Sequence, residues 1–154
     1  MRKIFACLAL ITLVTSSALA QSVPADFEQR IRQIYADKYP GNFSMQKVLI
    51  NDQFDSYKFI QRWNSEYNVS REILYKFKEI YDQKYPYNFS MQKVLIQDQC
   101  DSYRFLLSYT SETGVPKSVV TDLKQKYARK YPYNFSMQKE LIQDQVKSYL
   151  DLNR

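Results

Sequence analysis

Ser44, Ser90 and Ser136 each stand three residues before a lysine, Lys47, Lys93 and Lys139. A hydroxyl beside an amine base is one route to an activated nucleophile. The same spacing has a plainer meaning, since a helix N-cap and its third helical residue stand three apart. Three identical copies also suit a structural unit better than a single active centre. The carboxylates Asp52, Asp98 and Asp144 recur in the same way, once per copy, whereas glycoside chemistry needs two different carboxyl groups flanking one bond. The chain contains no histidine, which removes the commonest acid–base and metal-binding side chain. It has no HExxH, GxSxG or phosphate-binding loop either. No catalytic residue, cofactor or metal is therefore expected, and the protein reads as a non-enzyme. Beyond the first twenty residues the one cysteine is Cys100, with Phe54 and Val146 at its repeat equivalents. That points to a buried small hydrophobe, with an intermolecular disulfide as the alternative.

These residues belong to a block that occurs three times. KYPGNFSMQKVLINDQFDSY begins at Lys38, KYPYNFSMQKVLIQDQCDSY at Lys84 and KYPYNFSMQKELIQDQVKSY at Lys130, so the period is 46 residues, and 15 of 20 positions are the same in all copies. A period of this size means stacked supersecondary units. The preceding segments have diverged far more than the block, which implies selection on the block for folding or for binding.

The first twenty residues read as a secretory signal peptide: Arg2 and Lys3, an apolar run, then Ala18-Leu19-Ala20. Cys7 lies inside the apolar run, against a lipoprotein anchor. Cleavage near Ala20 leaves residues 21–154 as one domain, periplasmic or secreted, with no transmembrane segment in the mature chain. Without Arg2 and Lys3 there are 20 basic residues against 16 acidic, mixed along the chain. Modest charge, export and the lack of a recognised module exclude nucleic acid as a partner. Asn42, Asn68, Asn88 and Asn134 each satisfy N-x-S, a pattern the repeat largely generates by itself.

The predicted fold is all-α: three tandem αα-hairpins, at about 23–68, 69–114 and 115–154, stacked as a short solenoid or a compact six-helix bundle. In each, a first helix with apolar spacings of three and four (Phe27, Ile31, Ile34 and Tyr35 in the first copy) runs to the Tyr-Pro pair. Proline stops it, and a longer helix follows at once, capped by Ser44 or by Asn42. With Ser44 as cap, Phe43 and Val48 have the spacing of a hydrophobic staple. Ser22 is a candidate cap for the first helix, and Asn68 or Ser70 for the third. In the third copy Glu140, Lys147 and Asp151 replace residues of the other two, which reads as a polar C-terminal cap.

On a helical wheel Met45, Leu49, Phe59, Ile60 and Trp63 share a stripe that also holds Asp52 and Ser56. An acid within an apolar stripe needs a partner. Lys38, on the apolar side of the first helix, supplies one. The expectation is a structural network of Lys38–Asp52, Lys84–Asp98 and Lys130–Asp144, completed by tyrosine hydroxyls, Gln53, Gln99, Gln145, Ser56, Ser102 and Ser148. What remains for a partner to recognise is Asn42, Asn88, Asn134, Gln46, Gln92, Gln138, Lys47, Lys93 and Lys139, with Tyr87 and Tyr133 as exposed aromatics.

The run Tyr39-Pro40-x-Asn42-Phe43-Ser44-Met45-Gln46 and its two copies resemble a (W/Y)P-x-(N/D)-(F/Y)-S-M-Q motif of short exported or phage-associated bacterial proteins. The resemblance covers about twenty residues per repeat and implies a shared αα-hairpin and export, with no activity attached. Together these readings favour an extracytoplasmic protein that binds a protein or peptide. The alternatives are a cell-envelope protein contacting peptidoglycan or a lipid surface, and an inhibitor or immunity protein against an extracytoplasmic enzyme.

Overall fold

The computed structural model describes residues 22–62 and 69–153. The signal-peptide segment with Cys7, Trp63 and the candidate cap Asn68 lie outside the described residues. Six helices follow in order: α1 (Ala25–Lys38), α2 (Phe43–Arg62), α3 (Arg71–Lys84), α4 (Phe89–Ser108), α5 (Lys117–Lys130) and α6 (Phe135–Leu152). The described chain is all-helical.

The short links explain the hairpins. In each, the amide after the turn bonds back to the tyrosine carbonyl before proline: Asn42 to Tyr39 at 3.1 Å, Asn88 to Tyr85 at 3.1 Å and Asn134 to Tyr131 at 3.2 Å. Proline holds the second turn position, and the third has positive φ, as in a type II turn. Gly41 occupies it in the first copy, at φ 73°. Tyr87 and Tyr133 adopt the same left-handed backbone at φ 61° and 59°, a conformation that costs a non-glycine residue about 1–2 kcal/mol. With the chain thus reversed, α1 packs on α2, α3 on α4 and α5 on α6.

Asparagine, not serine, caps the long helices. The side-chain oxygens of Asn42, Asn88 and Asn134 accept from the amides of Met45, Met91 and Met137 at 3.1, 3.3 and 3.3 Å. The helix therefore starts one residue earlier than a serine cap requires, and phenylalanine becomes its first residue. The staple does not form, since Phe43, Val48 and Val94 are 76, 64 and 59 % exposed. Ser22 caps nothing, because Pro24 holds the N-cap position of α1 and no side chain caps it. Ser70 caps α3 through the amide of Ile73.

The long helices form the spine. Among the described residues α4 packs against both α2 and α6, while α2 and α6 share no comparable contact. The hairpins are stacked in a row, each touching its neighbour through its long helix. Two buried clusters fill the row, one from α1 to α4 around Ile31, Phe77 and Ile96, the other from α4 to α6 around Val120, Ile142 and Val146. Phe135 packs against both.

Candidate functional site: the joints and the open face of the long helices

Each joint between repeats is built by one glutamine. Gln53 is buried in the middle of α2, where its Oε1 accepts from the amide of Ser90 at 3.2 Å and its Nε2 donates to the Ser90 hydroxyl at 2.8 Å. The Tyr35 hydroxyl of the same hairpin accepts a further bond from Nε2 at 3.0 Å. Gln99 repeats this on α6: its Oε1 accepts from the amides of Phe135 and Ser136 at 2.6 and 3.3 Å, and its Nε2 donates to the Ser136 hydroxyl at 2.8 Å. The first amides of a helix have no intrahelical partner, and the preceding repeat supplies one. Burial raises the pKa of the Tyr35 and Tyr81 hydroxyls, and the bonds to Gln53 and Gln99 oppose that rise.

Aromatic contacts reinforce the joint. Phe89 is 4 % exposed, with its ring 5.0 Å from that of Tyr57 and 5.9 Å from that of Phe27. Phe135 meets Tyr103 at 4.9 Å and Phe77 at 5.7 Å. Lys93 lies over the Phe59 ring at 4.8 Å and Lys139 over the Phe105 ring at 5.4 Å. A middle residue of one long helix thus meets the first turn of the next, a stagger of about nine residues or roughly 13 Å.

The expected lysine–aspartate pairs are absent. Asp52, Asp98 and Asp144 are exposed, as are Lys38, Lys84 and Lys130, and the ion pairs among the described residues join other residues. The reason is the rotation of the long helix. At about 100° per residue from Met45, the buried Ser56, Ile60, Gln53, Tyr57 and Ile50 fall between roughly 20° and 140°. Asp52, near roughly 340° on the same wheel, lies just outside that arc and reaches water. Each lysine ends its helix and turns over the next tyrosine ring, at 5.5, 5.5 and 5.3 Å. Ser56 and Ser102 are buried as expected; Gln145 and Ser148 are not.

Most residues left for a partner are also used by the fold. The amides of Gln46, Gln92 and Gln138 donate to the carbonyls of Tyr39, Tyr85 and Tyr131 at 2.7, 2.9 and 2.7 Å, closing the ends of the short helices. Asn42, Asn88 and Asn134 are caps, and Lys93 and Lys139 lie in the joints. Tyr87 is half-buried against Phe27, with ring centroids 5.6 Å apart. Tyr133 and Lys47 are the members of that set that stand exposed outside the caps and joints.

The surface that does stand open went unnoticed in the sequence. Met45, Met91 and Met137 are exposed at equivalent positions of α2, α4 and α6, and Val48 and Val94 lie one turn further along the first two. The exposed carboxylates of Asp52, Asp98 and Asp144 follow on the same side. The available signal was the position of Val48, near roughly 300° on the wheel and opposite the buried arc. A cleft of about 300 Å³ lies between α1, α2, α3 and α4, lined by Phe27, Tyr57, Lys78, Asp82 and Gln92 among others.

Cys100 is fully buried, and burial pushes its thiol up to about 12. At pH 8 it is therefore a protonated thiol. An alkylating reagent at pH 8 should leave Cys100 unlabelled in the folded protein and label it in denaturant, as read by peptide mass spectrometry. Rapid labelling without denaturant would contradict the burial.

Among the described residues no group of His, Cys, Asp and Glu is arranged to hold a metal ion, and no helix is long and apolar enough to cross a membrane. Fold and surface define an all-helical array of αα-hairpins joined through their long helices. The chain matches no family model, no curated protein and no solved structure.

Proposed function

We propose that the protein acts without catalysis, as an extracytoplasmic binding protein that recognises a protein or peptide along the open face of its long helices. The observation that carries this reading is the repeated exposure of Met45, Val48, Met91, Val94 and Met137 on the long helices. Methionine is flexible and polarizable, suited to surfaces that adapt to a partner. Large apolar side chains left open at the same positions of successive repeats offer a partner regularly spaced anchor points. The carboxylates beside it favour a partner segment that combines apolar residues with lysine or arginine. The signal-peptide pattern of the first twenty residues supports a location outside the cytoplasm.

A displayed library of random peptides, selected on the immobilised protein, tests this. Enriched sequences should join large apolar residues to basic ones. Their affinity for an M91S/V94S double variant should fall roughly ten-fold or more, the scale of losing interface anchors. Both positions are exposed, so thermal stability should not change. Enrichment of acidic peptides, or equal binding by the double variant, would exclude this face as the site.

A further inference from the structure

The joint between repeats occurs twice inside the chain, and each of its halves is also displayed, unmated, at one end of the row. At the first end, Phe43 is 76 % exposed where its equivalent Phe89 is buried. Ser44 and Lys47 are likewise exposed, whereas Ser90, Ser136, Lys93 and Lys139 are partly covered. At the last end, the second half of α6 keeps Gln145 and Tyr149, the counterparts of Gln53 and Tyr57. Gln145 lacks a serine to hold and bonds instead to the neighbouring Asp144 carboxylate at 3.4 Å. Leu152 is 86 % exposed where Leu106 and Ile60 are buried.

We infer that the chain binds a second copy of itself head to tail, with the first turn of α2 in one copy seated on the second half of α6 in the other. The occupant is specified by the joints already present. The stagger that places Phe89 and Phe135 on the preceding helix leaves the matching groups at the two ends in the same relative register. Charge agrees as well. Lys93 and Lys139 lie over Phe59 and Phe105; the next position in that series is Asp151, so Lys47 of an incoming copy would meet a carboxylate. Of the three polar replacements in the last repeat, Glu140 and Lys147 stand where Val48, Val94, Asp55 and Asp101 are exposed anyway. They protect no joint surface. Such a contact uses two different patches, so a pair leaves one of each open and further copies add to it, as a row or a ring.

Sedimentation velocity from micromolar to near-millimolar concentration tests the inference. The average mass of the wild type should rise with concentration without settling at a dimer. F43D alone and L152D alone should each remain monomeric, their association weakened roughly thirty-fold or more, as for a buried anchor removed from an interface. An equimolar mixture of the two variants should form a dimer and nothing larger, because one retains a good tail and the other a good head. Unchanged thermal melts would show that both variants stay folded. A wild type that stays monomeric throughout, single variants that associate as well as it does, or a mixture that fails to pair would each overturn the inference.

Discussion

Replacing Gln99 with alanine should destabilise the protein by about 3 kcal/mol, while the same change at Gln145 should cost less than about 0.5 kcal/mol. The two residues hold the same position in successive repeats. Gln99 is buried, and its amide serves the amides of Phe135 and Ser136 and the hydroxyl of Ser136. Truncation leaves those groups facing a gap in the joint, each losing a partner that water cannot readily replace. Two or three such losses at roughly 1–3 kcal/mol each span about 2–9 kcal/mol, and relaxation of the first turn of α6 keeps the total toward the lower end. Against a typical stability of about 5–15 kcal/mol, the effect is large. Gln145 keeps only a bond to its exposed neighbour Asp144, which water can substitute. Chemical denaturation of the pair gives the comparison directly, and equal losses at the two positions would show that the joint is not what stabilises the array.

Phe89→Ala should cost about 3–5 kcal/mol and Phe43→Ala almost nothing. Both begin a long helix in the same sequence context, Asn-Phe-Ser-Met-Gln. Phe89 fills the joint between Tyr57 and Phe27, so its removal forfeits both apolar burial and ring contacts and leaves a cavity. Phe43 faces solvent. A difference below about 1 kcal/mol in thermal or urea unfolding would contradict the packing described.

Helix number, the hairpin links and the burial of Cys100 were legible because they depend on local or periodic features. Proline and its neighbours stop a helix wherever they occur, and a 46-residue period survives any error in boundaries. The polar network was half legible. Gln53, Gln99, Ser56 and Ser102 were rightly expected inside, but the partner of each glutamine lies 36 or 37 residues ahead in the next repeat. A wheel drawn for one helix cannot see that partner. Nor can it say which arc of the helix is buried: the stripe centred on Met45 lies a few tens of degrees from the arc that is covered, enough to leave Asp52 on the open face. The fate of phenylalanine in the block was not legible at all, since Phe43 and Phe89 have the same local sequence. What separates them is whether another long helix precedes.

In the joints, the repeated block lets the preceding long helix hold the first turn of α4 and of α6, while the first turn of α2 is left unheld. Amide hydrogen exchange measured by NMR addresses this most directly, because the first amides of a helix normally exchange freely. The amides of Ser90, Phe135 and Ser136 should be protected, and those of Phe43 and Ser44 should exchange at rates near those of an open chain, in dilute protein. Equal exchange at all three helix starts would contradict the joints.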